Sequence, residues 1–554
     1  MKTVIVSLNS QYIHSSLACW YLLSSAKKRC EKGINVKIIE GTVNEEINDI
    51  LKRIKREKPD IVAFSCYIWN IKTVFKLIDL LENVKIILGG PEVSYCTDKI
   101  LKEHINIDYV ISGEGEEPFA ELLNAIYLAK ITRYIKGVSY RDNNDLIISE
   151  PYISNNVPES PYVDEYFETL NRRISYIETS RGCPFSCAFC LSGRCGGVRY
   201  FPLESAFENI VKLANSGSKI IKFVDRTFNA NSKRAREILS FIIKNYGTVI
   251  PKDVCFHFEI GGDLLTDDDF KLLKTVPKGL IQFEIGMQSF NAKTLEAINR
   301  KTNVEKLKSN IKSLVSLGNI HIHIDLIAGL PFEDYKSFRD SFNTGFELNA
   351  DMLQLGFLKL LHGAKMRDED YLYPSQFNED SPYEVTETQW LDTKDLKQLH
   401  YCENALERFV NSGRFSRTIK YIFDYQKRNP FDTLTELGMF TGTDSCSLNE
   451  YINRLYNFFK NSCDEMLLRD LLLCDFASGV KSNALPTCLI REDKNLRKFR
   501  QFLESGEKTK RKDGVMRKTF LLYSENCGAY VDYDQKVNGK YVINKINFNI
   551  KTSD

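Results

Sequence analysis

Short apolar runs alternate with segments of helical periodicity along the first third of the chain. Five such runs predict strands, at Thr3–Leu8, Val36–Glu40, Asp60–Ser65, Lys85–Leu88 and Tyr109–Ile111. Buried strands that alternate with helices form a parallel sheet with helices on both faces. The pattern therefore predicts an α/β fold here, a doubly wound Rossmann-like domain over residues 1–134.

A second series of strand patterns begins near residue 171, and its spacing leaves room for one helix between each pair. The six predicted strands are Ile174–Ser180, Ile220–Asp225, Cys255–Ile260, Ile281–Met287, His321–Ile327 and Leu353–Leu358. Six βα units make an incomplete version of the eightfold barrel, in which catalytic groups sit at the carboxyl ends of the strands. We expect this partial barrel to occupy residues 171–365.

The segment between the two sheets, residues 135–170, is expected to be a connector. A hairpin pattern with an Asn143–Asp145 turn comes first. Three prolines follow among serines and asparagines, which is typical of an extended linker; they are Pro151, Pro158 and Pro161.

The alternation of strands and helices stops after about residue 365. Helical periodicity covers Thr393–Phe409 and Asn449–Phe476. Three strand patterns lie near the end, at Thr519–Tyr523, Ala529–Tyr533 and Lys540–Ile550. Residues 366–554 are therefore expected to form a separate α-rich domain with a small β element.

Composition narrows the classes of function. The formal net charge of +2 does not by itself call for a nucleic acid or an anionic membrane as partner. Fifteen cysteines in 554 residues are too dilute for a disulfide scaffold, so we expect reduced thiols and a cytoplasmic protein. Neither a signal peptide nor a membrane-spanning run is expected. The basic segment Lys508–Lys518 fits a solvated hairpin tip or, alternatively, a nucleic-acid contact.

Three cysteines with CxxxCxxC spacing follow the first barrel strand: Cys183, Cys187 and Cys190. Three thiolates suit a [4Fe–4S] cluster with one iron left open, because a closed cluster takes four protein ligands. A structural zinc would need a second CxxC or a pair of histidines nearby, and none follows. Cys195 is expected to be incidental or to face a substrate, in a mobile basic loop that contains Arg194 and Arg199.

Arg181-Gly182 before the first cysteine and Phe189 before the last complete a motif that resembles the radical SAM superfamily, whose clusters bind S-adenosylmethionine (SAM). The later barrel strands resemble the same superfamily. The resemblance implies that four strand-end residues hold SAM, namely Glu259, Gln288, Arg300 and Asp325. A zwitterionic ligand needs a carboxylate for its ammonium group and an arginine for its carboxylate, and these four residues include both.

The strands of the N-terminal domain end in polar and glycine-rich loops, where doubly wound sheets bind ligands. The strings LGGPEVS and ISGEGEEPF resemble the cobalamin-binding domain that precedes many radical SAM domains. By that resemblance the cobalamin contacts are Asn9, Ser65, Gly89, Gly90, Gly113, Glu114, Gly115 and Glu116. The DxHxxG motif that supplies an axial histidine is absent, so we expect His14 to be a polar loop residue. A Rossmann-like module that has lost its corrinoid is the alternative.

Three further histidines alternate with apolar residues in the barrel strands: His257, His321 and His323. We expect them to be strand-start or core polar groups rather than metal ligands.

Together these resemblances imply a cobalamin-binding radical SAM enzyme. Its reduced cluster would cleave SAM to a 5′-deoxyadenosyl radical, and cobalamin would deliver a methyl group to an unactivated carbon. The alternatives are a non-methylating enzyme (cyclisation, rearrangement or redox) and a corrinoid or iron–sulfur sensor without turnover. RNA methylthiolation would call for a second cysteine trio in the N-terminal domain.

The implied partners are an electron donor such as flavodoxin or ferredoxin and a small-molecule, peptide or RNA substrate, with no membrane. The C-terminal domain is expected to close the mouth of the barrel and to select the substrate.

Overall fold

The computed structural model describes residues 1–130, 135–143, 145–194, 196–482, 484–490, 494–505, 518–537 and 539–550. The chain divides into two compact units. The first comprises Met1–Ser337, Leu348–Asp351 and Gly356–Asp392. The second comprises Phe338–Glu347, Met352–Leu355 and the described residues from Thr393 onward. The first unit contains both predicted α/β regions and also extends past residue 365, because residues 356–392 pack against it.

The N-terminal sheet has seven strands. They are β1 (Lys2–Asn9), β2 (Asn35–Thr42), β3 (Ile61–Ser65), β4 (Lys85–Gly89), β5 (Tyr109–Ile111), β6 (Val138–Asp142) and β7 (Asp145–Ile147). Their order is β2-β1-β3-β4-β5-β6-β7, and the first five are parallel. The chain reverses its direction of winding between β1 and β3, where doubly wound sheets bind their ligands.

Helices cover both faces of this sheet, as the alternation of buried strands predicted. Val4, Val6 and Leu8 of β1 belong to one apolar cluster, and Ile5 between them belongs to another. The helices are Ala18–Arg29, Ile47–Arg56, Ile71–Ile78, Pro91–Ser94, Thr97–Glu103 and Glu116–Tyr127.

The hairpin that we expected in a connector is part of the sheet. Strand β6 pairs antiparallel with β5, and β7 pairs antiparallel with β6. The apolar side chains of Val138 and Tyr140 are buried in the core of the N-terminal domain, which explains why the hairpin joins the sheet. The connector proper is thus the stretch after β7, which contains the short helix Asp164–Thr169.

The six predicted barrel strands are confirmed within two residues at their starts. They are β8 (Ser175–Ile177), β11 (Ile220–Phe223), β12 (Cys255–Glu259), β13 (Ile281–Gln288), β14 (His321–Ala328) and β15 (Met352–Phe357). They form one sheet in the order β15-β14-β13-β12-β11-β8. The intervening helices are Leu203–Ala214, Ser232–Asn245, Asp267–Leu273, Ala292–Ala297, Val304–Leu317 and Tyr335–Glu347.

The segment after β8 departs from the expectation. We predicted one strand to Ser180 and a mobile loop around Arg199, but the chain forms a two-stranded ribbon of β9 (Ser180–Cys183) and β10 (Gly197–Tyr200). Its register places Cys183 opposite Gly197 and Arg181 opposite Arg199. Cys195 lies outside the described residues.

The first unit ends in a short α-helix (Lys365–Asp368) and a hairpin of β16 (Ser375–Phe377) and β17 (Val385–Thr388).

The second unit is α-rich with a terminal β element, as predicted. Its α-helices include Thr393–Ala405, Ser416–Lys420, Pro430–Thr441, Leu448–Phe459, Glu465–Gly479 and Lys494–Ser505, with π-helical turns at Leu406–Asn411 and Tyr421–Tyr425. A three-stranded antiparallel sheet follows, formed by β18 (Thr519–Leu522), β19 (Cys527–Val537) and β20 (Lys540–Ile546).

The single helix predicted over Asn449–Phe476 is two helices. The first ends at Phe459, and Asp464 begins the second by accepting a hydrogen bond from the backbone NH of Leu467 (2.9 Å). Apolar periodicity on both sides of this N-cap concealed the break. Residues 508–517 of the basic segment lie outside the described residues. No helix among the described residues is long and apolar enough to cross a membrane.

Candidate functional site

The three cysteines of the CxxxCxxC motif begin at the end of ribbon strand β9 and continue through the following turn. None of them forms a disulfide. Burial raises the pKa of the Cys187 thiol; Arg300 opposes this shift, and the neighbouring Cys190 and Cys183 add to it. Cys187 therefore lies within electrostatic reach of both other thiols.

Among the described residues, no three His, Cys, Asp or Glu side chains stand at the spacing of ligands to a single metal ion. A [4Fe–4S] cluster does not require that spacing, because each of its cysteines binds a different iron. Three free thiols in one turn therefore agree with the predicted cluster.

The four barrel residues predicted to hold SAM surround the carboxyl ends of neighbouring strands. Glu259 ends β12 and Gln288 ends β13, whereas Asp325 lies in β14 opposite Gly286. Arg300 follows the helix Ala292–Ala297 and donates a short hydrogen bond to the carbonyl oxygen of Gly286. The fold therefore brings Gln288, Arg300 and Asp325 together around one glycine.

Three buried polar atoms in this group have no hydrogen-bond partner within the described chain. They are Oε1 of Gln288, Nε of Arg300 and Oδ1 of Asp325. A buried polar atom without a partner costs about 1–3 kcal/mol, so three adjacent ones indicate a place for a polar ligand. The donor set, which combines acceptors with a guanidinium, fits the amino-acid end of SAM.

The carboxylates at these strand ends repel one another. Burial, followed by the charges of Glu284 and Glu259, raises the pKa of Asp325 to about 8. Burial also raises the pKa of Glu259, and the nearby Arg226 opposes that shift. A bound cation, such as an ammonium group, stabilises the ionised form of carboxyl groups of this kind.

A cavity of about 990 Å³ opens at the carboxyl ends of the N-terminal strands. Its size is at the upper end of the range of ligand pockets, roughly 300–1,000 Å³. All eight residues predicted to contact cobalamin line it, namely Asn9, Ser65, Gly89, Gly90, Gly113, Glu114, Gly115 and Glu116. Their individual contacts with the cofactor stay predictions.

Two glycines of this cavity are required by the backbone. A Cβ atom on Gly90, whose φ is +106°, would lie 2.5 Å from the carbonyl oxygen of Cys66. A Cβ atom on Gly113, whose φ is +88°, would lie 2.2 Å from the carbonyl oxygen of Tyr152. Only glycine allows the loops to pass this closely and keep the cavity open.

The structure adds cavity residues that the sequence analysis did not assign. Tyr67 and Trp69 stack with their rings 4.4 Å apart, and both line the cavity. Arg181 and Arg199 of the ribbon also line it and bond to Glu114. The alternation pattern predicted neither pairing, because the partners lie 67 and 85 positions apart.

The histidines find partners within the chain. His14 lines the cavity, and its Nδ1 lies 2.8 Å from the hydroxyl oxygen of Tyr176. His257 Nε2 lies 2.9 Å from Glu284, and His323 Nε2 lies 2.7 Å from Gln282. His321 is exposed and lies 3.6 Å from Asp351. These contacts agree with the expectation of polar loop and strand residues.

Known protein families match three separate regions of the chain. Three family models match: the B12 binding domain over residues 3–123, the Radical SAM superfamily over residues 177–344, and Protein of unknown function (DUF4080) over residues 371–551.

Among curated proteins, an uncharacterized methyltransferase of Pyrococcus horikoshii is 30% identical over 336 residues, which cover 58% of this chain and 71% of that protein. The cobalamin-dependent radical SAM methyltransferase TokK of Streptomyces tokunonensis is 30% identical over 338 residues, covering 56% and 48%. This chain therefore spans less than half the length of TokK.

Among solved structures, the cobalamin-dependent SAM radical enzyme OxsB with aqua-cobalamin and SAM bound superposes with a TM-score of 0.60 at 15% identity. The match covers 93% of this chain and 82% of OxsB, and it shows a shared fold.

An N-terminal corrinoid-type sheet, a partial barrel and a CxxxCxxC turn together define the class of cobalamin-dependent radical SAM enzymes. The chain belongs to this family, and its cofactors are cobalamin, a [4Fe–4S] cluster and SAM.

Proposed function

We propose that the chain methylates an unactivated carbon of its substrate. The observation that carries this proposal is that the cavity of about 990 Å³ at the ends of the N-terminal strands and the SAM-type strand ends belong to one compact unit, with the cysteine ribbon lining the cavity. When bound, the cluster and cobalamin supply radical generation from SAM and transfer of its methyl group.

The residues of the chain bind and orient the reactants. Arg300 holds the carboxylate of SAM, and the acidic pair Glu259 and Asp325 holds its ammonium and ribose groups, with Gln288 as a further polar contact. The N-terminal cavity holds the corrinoid and excludes water from it, since its walls include apolar side chains such as Leu8, Phe64 and Leu88.

The cellular setting belongs to the same proposal. Free cysteines and an open iron–sulfur cluster require a reducing compartment, which supports a cytoplasmic protein. Reduction of the cluster requires an electron donor such as flavodoxin or ferredoxin.

A substrate-independent experiment tests the methyl transfer. Anaerobic protein with a rebuilt cluster is loaded with hydroxocobalamin, reduced, and mixed with SAM that carries a labelled methyl group. We expect about one retained corrinoid per chain, label on that corrinoid and formation of S-adenosylhomocysteine. 5′-Deoxyadenosine without any labelled corrinoid would instead support the non-methylating alternative.

A further inference from the structure

The Arg181 side chain forms the centre of an ion network. It lies in ribbon strand β9, two residues before Cys183. Its guanidinium donates to Glu114 (3.1 Å), Glu116 (2.5 Å) and Glu178 (3.1 Å). The side chain of Arg181 is only 15% exposed, and it lies over the rings of Tyr21 and Phe201.

The ribbon is held at two points and not one. Arg199 stands directly opposite Arg181 in the ribbon and forms a second short ion pair with Glu114. Two positions further along β9, Cys183 pairs with Gly197. A shift of either arginine therefore shifts the strand that carries the first cluster cysteine.

Glu114 and Glu116, which bond to Arg181, are held in place by the N-terminal domain. Glu114 follows Gly113, whose loop passes Tyr152 closely, and its backbone NH donates to the carbonyl oxygen of Tyr152 (2.8 Å). Glu116 begins the helix Glu116–Tyr127, and its carbonyl oxygen accepts a hydrogen bond from Ser25 (2.6 Å).

Burial makes this network different from surface ion pairs. Exposed pairs contribute little to stability, whereas removing one partner of a buried pair leaves a buried charge without compensation. Removal of Arg181 would leave Glu114 paired with Arg199 and would take from Glu116 and Glu178 the guanidinium to which both now bond. The five side chains of the network all line the N-terminal cavity.

We propose that Arg181 is a positioning residue that couples the corrinoid cavity to the cysteine turn, so that filling one site orders the other. The inference goes beyond methyl transfer and does not depend on the reaction outcome, because it concerns only how the two cofactor sites are held together. Coupling is reciprocal: if the rebuilt cluster strengthens corrinoid binding, the corrinoid must strengthen cluster binding by the same factor.

The test measures binding and not turnover. The dissociation constant of hydroxocobalamin is determined for cluster-free and cluster-containing protein, in the native chain and in R181Q, R181K and E116Q. Hydrogen exchange of residues 178–194 in the cofactor-free chain reports the order of the cysteine turn. R234Q is the matched control, because Arg234 also bonds to this segment, at the carbonyl oxygen of Thr179 (3.2 Å), and forms no ion pair with any described residue of the N-terminal domain.

In the native chain and in R234Q we expect the cluster to strengthen hydroxocobalamin binding about fivefold or more. R181Q should abolish this strengthening and speed hydrogen exchange in the turn. E116Q and R181K should make the strengthening smaller; in R181K the reason is that lysine cannot hold several carboxylates at once. Equal coupling in R181Q and the native chain would overturn the assignment of Arg181. Equal corrinoid affinity of the native chain with and without the cluster would overturn the coupling itself, even if methyl transfer occurs.

Discussion

Nη1 of Arg300 lies 3.7 Å from the Sγ atom of Cys187. The contact joins the residue expected to hold the carboxylate of SAM to a residue expected to bind the cluster, although 113 positions separate them in the chain. Asn299, the preceding residue, bonds to Ser186 through its side-chain amide (2.7 Å to Oγ). The cysteine turn and the SAM-type strand ends are therefore one continuous site.

Replacement of Arg300 by alanine should weaken SAM binding and leave the iron content unchanged. A hydrogen bond to a charged group contributes about 1.5–3 kcal/mol, which corresponds to a roughly ten- to hundredfold higher dissociation constant. K301A is the matched control, because Lys301 is the next residue, has the same charge and is exposed. SAM affinity that is the same in R300A and K301A would remove Arg300 from the site.

The sequence predicted the two α/β regions because buried strands leave a strong local pattern. Tyr109–Ile111 and the start of β12 at Cys255 were predicted at the observed residues, since apolar runs bounded by polar residues mark both. The cysteine motif was equally local. These features depend on neighbours within a few positions, which a single sequence displays.

Features that depend on distant partners were not predicted. Strand β6 joins the N-terminal sheet because Val138 and Tyr140 find an apolar core there, and the hairpin pattern alone does not identify that core. Glu114 and Glu116 were expected to contact the cofactor, but nothing near them in sequence signals Arg181 and Arg199. The bulge in β13, where Gln288 takes a φ of +70°, likewise depends on pairing with β14.

Replacement of all three cysteines by alanine should abolish the visible absorbance of the cluster and the cleavage of SAM. Cys183, Cys187 and Cys190 are the only cysteines of the described chain that share one short turn, and a cluster with fewer ligands is not held. C255A is the matched control: Cys255 is half-buried at the start of β12 and has no neighbouring cysteine in sequence. A triple variant that kept both signals would contradict the cluster assignment.

Replacement of Gly89 by leucine should block corrinoid binding without unfolding the chain. The nearest atom to a Cβ there is the carbonyl oxygen of Ile111 at 3.5 Å, an ordinary contact, and Gly89 lines the cavity. The larger side chain would occupy cavity volume, and we expect hydroxocobalamin affinity to fall roughly tenfold or more.

G479L is the matched control for this substitution, because a Cβ atom on Gly479, at the end of a helix in the second unit, meets nothing within 4 Å. Circular dichroism and thermal unfolding verify that both variants fold. Native corrinoid affinity in a folded G89L chain would place the corrinoid elsewhere.

The stability of the cofactor-free chain should depend on pH through Asp325. Burial with Glu284 and Glu259 nearby holds the folded-state pKa at about 8, whereas an aspartate in an unfolded chain titrates near about 3.9. Between these values the folded chain binds a proton that the unfolded chain releases. The free energy of unfolding therefore falls as the pH rises through this window, by at most about 1.4 kcal/mol per pH unit for this one group.

The substitution D325N replaces this carboxyl with an amide that cannot ionise. In D325N the free energy of unfolding should fall less steeply with rising pH. The cofactor-free variant should therefore be more stable than the cofactor-free native chain at neutral and mildly alkaline pH. Urea unfolding across the window from about 4 to about 8 measures the effect, with D340N as control because Asp340 lies on an exposed helix surface. Part of the slope should remain in D325N, because burial also raises the pKa of Glu259. Parallel pH profiles for D325N and the native chain would show that Asp325 ionises normally, and the carboxylates would then offer no special site for an ammonium group.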